Sequence, residues 1–91
     1  MKLIQTKDKI VILDDYNHFL SEALIYEDEN LIEIKDIIIH KDGKGKMLKT
    51  KIMKIIIVLA KIKNKKIKPI NPYSISWFKI HQEYKEILLT N

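Results

Sequence analysis

The sequence has no cysteine, no arginine, only two glycines and two prolines, and no apolar run close to the ~18 residues that span a membrane as a helix. Without cysteine there is no disulfide framework, no thiolate metal site and no cysteine nucleophile. Without arginine, an anion must be held by lysine ammonium groups, which act as point charges, or by backbone N–H groups. His18, His40 and His81 lie far apart with no ligand-spaced pair, so no metal site is expected. No Ser-His-Asp arrangement is present. Met1-Lys2-Leu3-Ile4 runs straight into Gln5, Thr6, Lys7 and Asp8, which is unlike a secretory leader. A cytoplasmic protein is therefore expected.

What remains is enough for one small α+β domain over residues 1–91. The chain is 46% apolar, sufficient for one core. It carries 17 lysines and 19 isoleucines, a pairing that AT-rich codon usage alone would enrich. The distribution of charge is more informative than its total. Residues 1–40 hold nine carboxylates against four lysines, residues 41–68 hold eleven lysines against one aspartate, and residues 69–91 are balanced. A basic cluster of this kind suits an anionic partner: a phosphorylated cofactor, a nucleic acid or an anionic surface.

Taken in order, Lys9–Leu13 is β-branched and predicts a strand, and Asp14–Asn17 a turn. Phe19–Tyr26 predicts a second strand, with a short helix as the competing assignment because both sides carry apolar residues. After the turn at Glu27–Asn30, Leu31–Ile39 predicts a third strand, which completes an antiparallel meander. His40–Lys46 holds both glycines and forms the next turn. A long helix is expected from about Met47 to Lys63. Leu48, Ile52, Ile55, Ile56, Leu59 and Ile62 form its apolar stripe, widened by Met53, Ile57 and Ala60. Asn64-Lys65 marks its stop. Lys66–Ile70 predicts a strand that Pro69 and Pro72 confine to an edge or splay from its neighbour. A helix crosses between this strand and Leu31–Ile39, so the pair should be parallel. Ser74 suits the N-cap of a short helix to about Ile80, and Glu83–Leu89 has no clear type. The expected architecture is a mixed sheet: an antiparallel N-terminal meander, a β-α-β unit around one long helix, and a short C-terminal helix.

The run Lys68-Pro69-Ile70-Asn71-Pro72-Tyr73-Ser74-Ile75-Ser76-Trp77-Phe78-Lys79-Ile80-His81-Gln82-Glu83-Tyr84 resembles the end of a short-form GNAT N-acetyltransferase of the YjdJ-like, single-domain branch. That branch ends in a strand, a Cys-Pro-Phe/Tyr or Cys-Ser-Phe/Tyr step, a short helix and a His-Pro-Glu-Tyr-like element. The likeness runs without a gap over residues 31–89 and more loosely over 9–30. The family's acetyl-CoA loop, roughly Arg/Gln-Gly-x-Gly-x-Gly/Ala, falls on Lys44-Gly45-Lys46-Met47-Leu48-Lys49. Gly45 keeps one glycine of it, while Met47 and Lys49 stand where small residues are usual. Asn71 stands where the family often has cysteine.

The resemblance implies transfer of an acetyl group from acetyl-CoA, the cosubstrate, to an unidentified amine. It implies a cofactor site made of the strand end at Ile37 and Ile39, the loop and helix start at Lys44, Gly45, Lys46, Met47, Leu48 and Lys49, and Asn71. The physics agrees with that layout. The first N–H groups of a helix face an anion with a favourable dipole, and glycine lets the backbone come close. Acyl transfer also needs a proton acceptor for the amine and a proton donor for the thiolate. His40, Tyr73 and Asn71 are the candidate catalytic residues, with Glu33, Asp36 and His81 as further titratable or polar groups. Each also has an ordinary structural reading: a solvated turn histidine, a packed tyrosine with its hydroxyl satisfied, a turn asparagine before proline. Two alternatives stand beside the enzyme: a catalytically impaired CoA-binding module, and a lysine-rich binder of nucleic acid or another anionic ligand. A monomer or small homo-oligomer is expected.

Overall fold

The computed structural model describes residues 1–40 and 45–89. Its elements in chain order are β1 (Lys2–Gln5), β2 (Lys9–Leu13), β3 (Phe19–Glu27), β4 (Leu31–Ile39), α1 (Gly45–Ile62), β5 (Lys66–Pro69), α2 (Pro72–Ile80) and a 3₁₀ helix, α3 (Gln82–Ile87). The strands form one sheet in the order β1-β2-β3-β4-β5. The first four pair antiparallel, and β5 joins β4 in parallel across the α1 crossover.

The meander follows the alternation of side chains. Ile10 and Ile12 of β2, Ser21, Ala23 and Ile25 of β3, and Ile32 and Ile34 of β4 all point to one buried face. Phe19–Glu27 is a strand and not a short helix, because it pairs with β2 on one side and β4 on the other, with Ser21 and Ala23 fully buried on the core face. β1 is a strand that the residue pattern does not announce. It has four residues, all exposed, and is held as an edge by pairing Leu3 with Ile12 and Ile4 with Val11.

α1 begins at Gly45 rather than Met47 and buries Ile52, Met53, Ile56, Ile57 and Ala60. The stripe is therefore centred on residues expected at its margin. Ile55 and Leu59 are half-buried, and Ile62 is 75% exposed. The helix stops at Asn64, whose φ of 56° lies in the left-handed region. There the Lys65 N–H donates to the Ala60 carbonyl at 2.8 Å and the Asn64 N–H to Lys61 at 3.2 Å.

α2 corrects the expected cap. Its N-cap is Asn71, with Pro72 as the first helical residue, where a missing N–H costs nothing. Ser74 is fully buried inside the helix. Its hydroxyl donates to the Asn71 carbonyl and closely to Asn71 Oδ1. Residues of the unassigned tail form α3, and Leu88 then bridges in parallel to Ile67, covering part of the outer edge of β5. Trp77, Phe78 and Ile87 join the core there.

Candidate active site

β4 is the element on which the site depends. The register runs Ile25 opposite Ile34 and then Leu24 opposite Asp36, so Lys35 is an extra residue and forms a bulge. The bulge shifts the parity of the strand. Before it, Ile32 and Ile34 are buried; after it, Ile37 and Ile39 are half-buried while Ile38 is 41% exposed. The same shift re-aims the backbone. The His40 N–H donates to the Leu20 carbonyl of β3, and N–H directions alternate along a strand. Ile37 and Ile39 therefore turn their N–H groups away from β3, towards the β5 side.

β5 is absent from that side. Its last register partner on β4 is Ile34, opposite Pro69. The Ile34 carbonyl accepts from both the Ile70 N–H at 3.0 Å and the Asn71 N–H at 3.2 Å, and the chain then turns into α2. Proline has no N–H with which to extend the ladder, so Pro69 and Pro72 end the pairing. The outcome is a parallel pair that opens beyond Ile34, leaving Lys35–Ile39 without a strand partner on that side among the described residues. The start of α1 lies over this end of β4: a Cβ added to Gly45 would meet Ile39 Cγ2 at 3.5 Å.

Several residues implied by the resemblance gather here. Ile37 and Ile39 supply the open edge. Gly45, Lys46, Met47 and Leu48 form the first turn of α1, with Lys46 and Met47 exposed and Leu48 half-buried. That turn carries no acidic side chain. Lys44 and Gly43 lie outside the described residues. Lys49 is directed elsewhere: its Nζ lies 4.7 Å from the ring centre of Tyr73, the second residue of α2. Tyr73 is half-buried against the core. Asn71 is 8% exposed, with its backbone on Ile34 and its side-chain oxygen on Ser74, so it is built into the corner that ends β5. His40 is exposed at the end of β4. His81 is stacked on Trp77 with ring centres 3.9 Å apart, and its Nδ1 lies 3.5 Å from Glu83; it sits with α2 and α3 rather than at the open edge.

One polar contact at the edge was not legible from residue types. Asp36 Oδ1 accepts from the Ile37 N–H at 2.8 Å. Its sequence signal is the break in alternation at Lys35-Asp36, where buried positions change from even to odd.

Among the described residues, several lysines of the basic segment gather elsewhere than at this edge. A cavity of about 300 Å³ lined by Lys61, Asn64, Lys65, Lys66, Glu86 and Ile87 lies at the other end of the sheet, beside the start of β5. Its ammonium groups are engaged. Lys65 meets Glu27 at 2.5 Å, Lys66 donates to the Glu86 carbonyl at 2.7 Å, and Lys61 lies 5.7 Å from the Tyr84 ring centre. Glu27 also takes Lys63 at 3.0 Å. Burial pushes the Glu27 carboxyl up, but the two ammonium groups outweigh it and hold it below its ordinary value. Among the described residues, no group of acidic and histidine side chains could hold a metal ion, and no helix is long and apolar enough to cross a membrane.

No family model matches the sequence, and none of the curated proteins does. A solved structure does match. The chain aligns with the solution structure of a candidate GCN5-like N-acetyltransferase from Staphylococcus aureus at a TM-score of 0.75 and 23% sequence identity, covering 99% of this chain and 89% of that one. The chain thus has a GNAT-like fold: a mixed five-stranded sheet, one long crossover helix and a short C-terminal helix.

Proposed function

We propose that this chain is a short-form, single-domain N-acetyltransferase of the YjdJ-like kind, which binds acetyl-CoA along the open edge of β4 and passes the acetyl group to an amine. The observation that carries the reading is the edge itself. Two outward N–H groups, on Ile37 and Ile39, stand beside the start of a long helix at a point where the parallel partner has left. An extended arm bearing amide groups fits such an edge as a strand would. A pyrophosphate fits the N–H groups of the first turn of α1, with Lys46 adding charge.

The chemistry follows from that placement. The amine nitrogen attacks the thioester carbonyl carbon, and the carbonyl oxygen gains negative charge that a backbone N–H of the edge stabilises. Collapse forms the amide C–N bond and breaks the C–S bond. The proton lost by the amine goes to water or a nearby base, of which His40, Glu33 and Asp36 are the candidates. The departing thiolate takes a proton, for which the Tyr73 phenol is the candidate donor. Asn71 serves by holding the corner that keeps the edge open. Much of the rate enhancement would come from positioning and backbone hydrogen bonds, which require few particular side chains.

Calorimetric titration of acetyl-CoA into the protein tests the cofactor site, with Lys46→Glu as the control. Saturable micromolar binding that weakens at least tenfold in the control supports it. No binding at millimolar ligand overturns it. A screen of amines for CoA release then separates an active enzyme from a binding module without turnover.

A further inference from the structure

We propose that the Asp36 carboxylate is a built-in competitor of the acetyl thioester, occupying the Ile37 N–H until an incoming carbonyl displaces it. The proposal rests on the acetyl-CoA reading above and goes beyond it by naming a residue that sets the affinity of that site. The Ile37 N–H is one of the two that the β4 bulge turns towards the vacated edge. It is not idle, because Asp36 Oδ1 accepts from it at 2.8 Å. A single N–H makes one good hydrogen bond, so a carboxylate and a thioester carbonyl exclude each other there.

Asp36 is suited to give way. Its residue is exposed, so the carboxylate can rotate into water, which replaces the lost bond at little cost. The ligand recovers less than the full value of its own hydrogen bond, because that bond replaces one already present. The contact also carries a full negative charge at the spot where negative charge would develop during acyl transfer. The enzyme therefore works with this carboxylate displaced, and the free protein keeps the N–H satisfied where a strand partner is lacking. The bulge makes the arrangement possible by placing Asp36 next to the first outward N–H rather than in the regular ladder.

The test compares acetyl-CoA binding by the full chain with that of Asp36→Ala and Asp36→Asn, using titration calorimetry. Amide NMR on each protein reports whether the fold and the Ile37 environment survive. Asp36→Ala removes both acceptor and charge and should bind about three- to tenfold tighter, with the Ile37 amide resonance displaced in the free protein. Asp36→Asn keeps an acceptor without the charge and should fall between. Equal tightening in the two variants would make the effect one of charge alone and overturn the competition. Unchanged or weaker binding by Asp36→Ala, with wild type still binding, would overturn it while leaving the acetyl-CoA reading intact. Absence of binding by all three proteins would overturn both together.

Discussion

The ammonium group of Lys49 lies 4.7 Å from the centre of the Tyr73 ring, joining the second turn of α1 to the start of α2. A cation on the face of an aromatic ring contributes about 0.5–1 kcal/mol at a partly exposed site. Lys49→Ala should lower stability by about that amount in chemical denaturation, while Lys49→Arg should retain most of it. If Lys49 instead served the cofactor phosphates, Lys49→Ala would weaken acetyl-CoA binding about as strongly as Lys46→Glu. The geometry predicts the smaller effect on binding and the measurable effect on stability.

Gly45 separates the needs of the fold from those of the ligand. A Cβ at this position meets Ile39 Cγ2 at an ordinary contact distance of 3.5 Å. Among the described residues nothing there requires glycine for folding, and alanine in a helix is favoured over glycine by up to ~1 kcal/mol. Gly45→Ala should therefore leave thermal stability unchanged or slightly raised. Under the proposed function it should weaken acetyl-CoA binding, because the backbone can no longer approach the phosphates as closely. Unchanged affinity would show that any phosphate contact at this turn does not depend on the glycine.

Glu27 ties the end of α1 to the end of β3 and should make stability depend on pH. Its side chain is 12% exposed and paired with Lys63 and Lys65. Its folded pKa lies below the ordinary value of 4.5, so the folded state binds this proton less readily than the unfolded one. The contribution is therefore fully present above about pH 4.5 and is lost as pH falls through the lowered folded value. Glu27→Gln should cost about 1–2 kcal/mol near neutral pH, and part of the acid-limb slope should disappear with it. Denaturation curves measured from pH 3 to pH 7 on both proteins test this; identical slopes would assign acid sensitivity to other carboxylates.

The sheet shows where reading by residue pattern holds and where it stops. Helix α1 was legible because one buried face imposes a period of about 3.6, and β4 and β5 because their side chains alternate; β2 was legible from its β-branched run, and β3 only with a short helix as a rival, because both its sides carry apolar residues. β1 was not legible. An exposed four-residue edge has no buried side to impose alternation, and only its pairing with β2 makes it a strand. The α2 cap was misplaced for a related reason. Ser74 and Asn71 are both good cap residues, and in the fold Asn71 takes the cap while Ser74 is buried within the helix and bonded back to Asn71. At the site, the glycine and lysines at the helix start could be read from composition. The role proposed for Ile37 and Ile39 comes only from the family resemblance, because main-chain groups place almost no demand on the side chain that carries them.

By itself the sequence determined the positions of four strands, the extent of the long helix to within two residues at its start, and the parallel crossover, since these rest on local residue pattern and chain reach. Only the tertiary structure decided that Lys35 bulges, that β5 departs after Ile34, and that the outward N–H of Ile37 is held by Asp36. Those three facts depend on which backbone groups find partners across the sheet, and hydrogen-bond partnership is a property of the assembled strands rather than of any one segment.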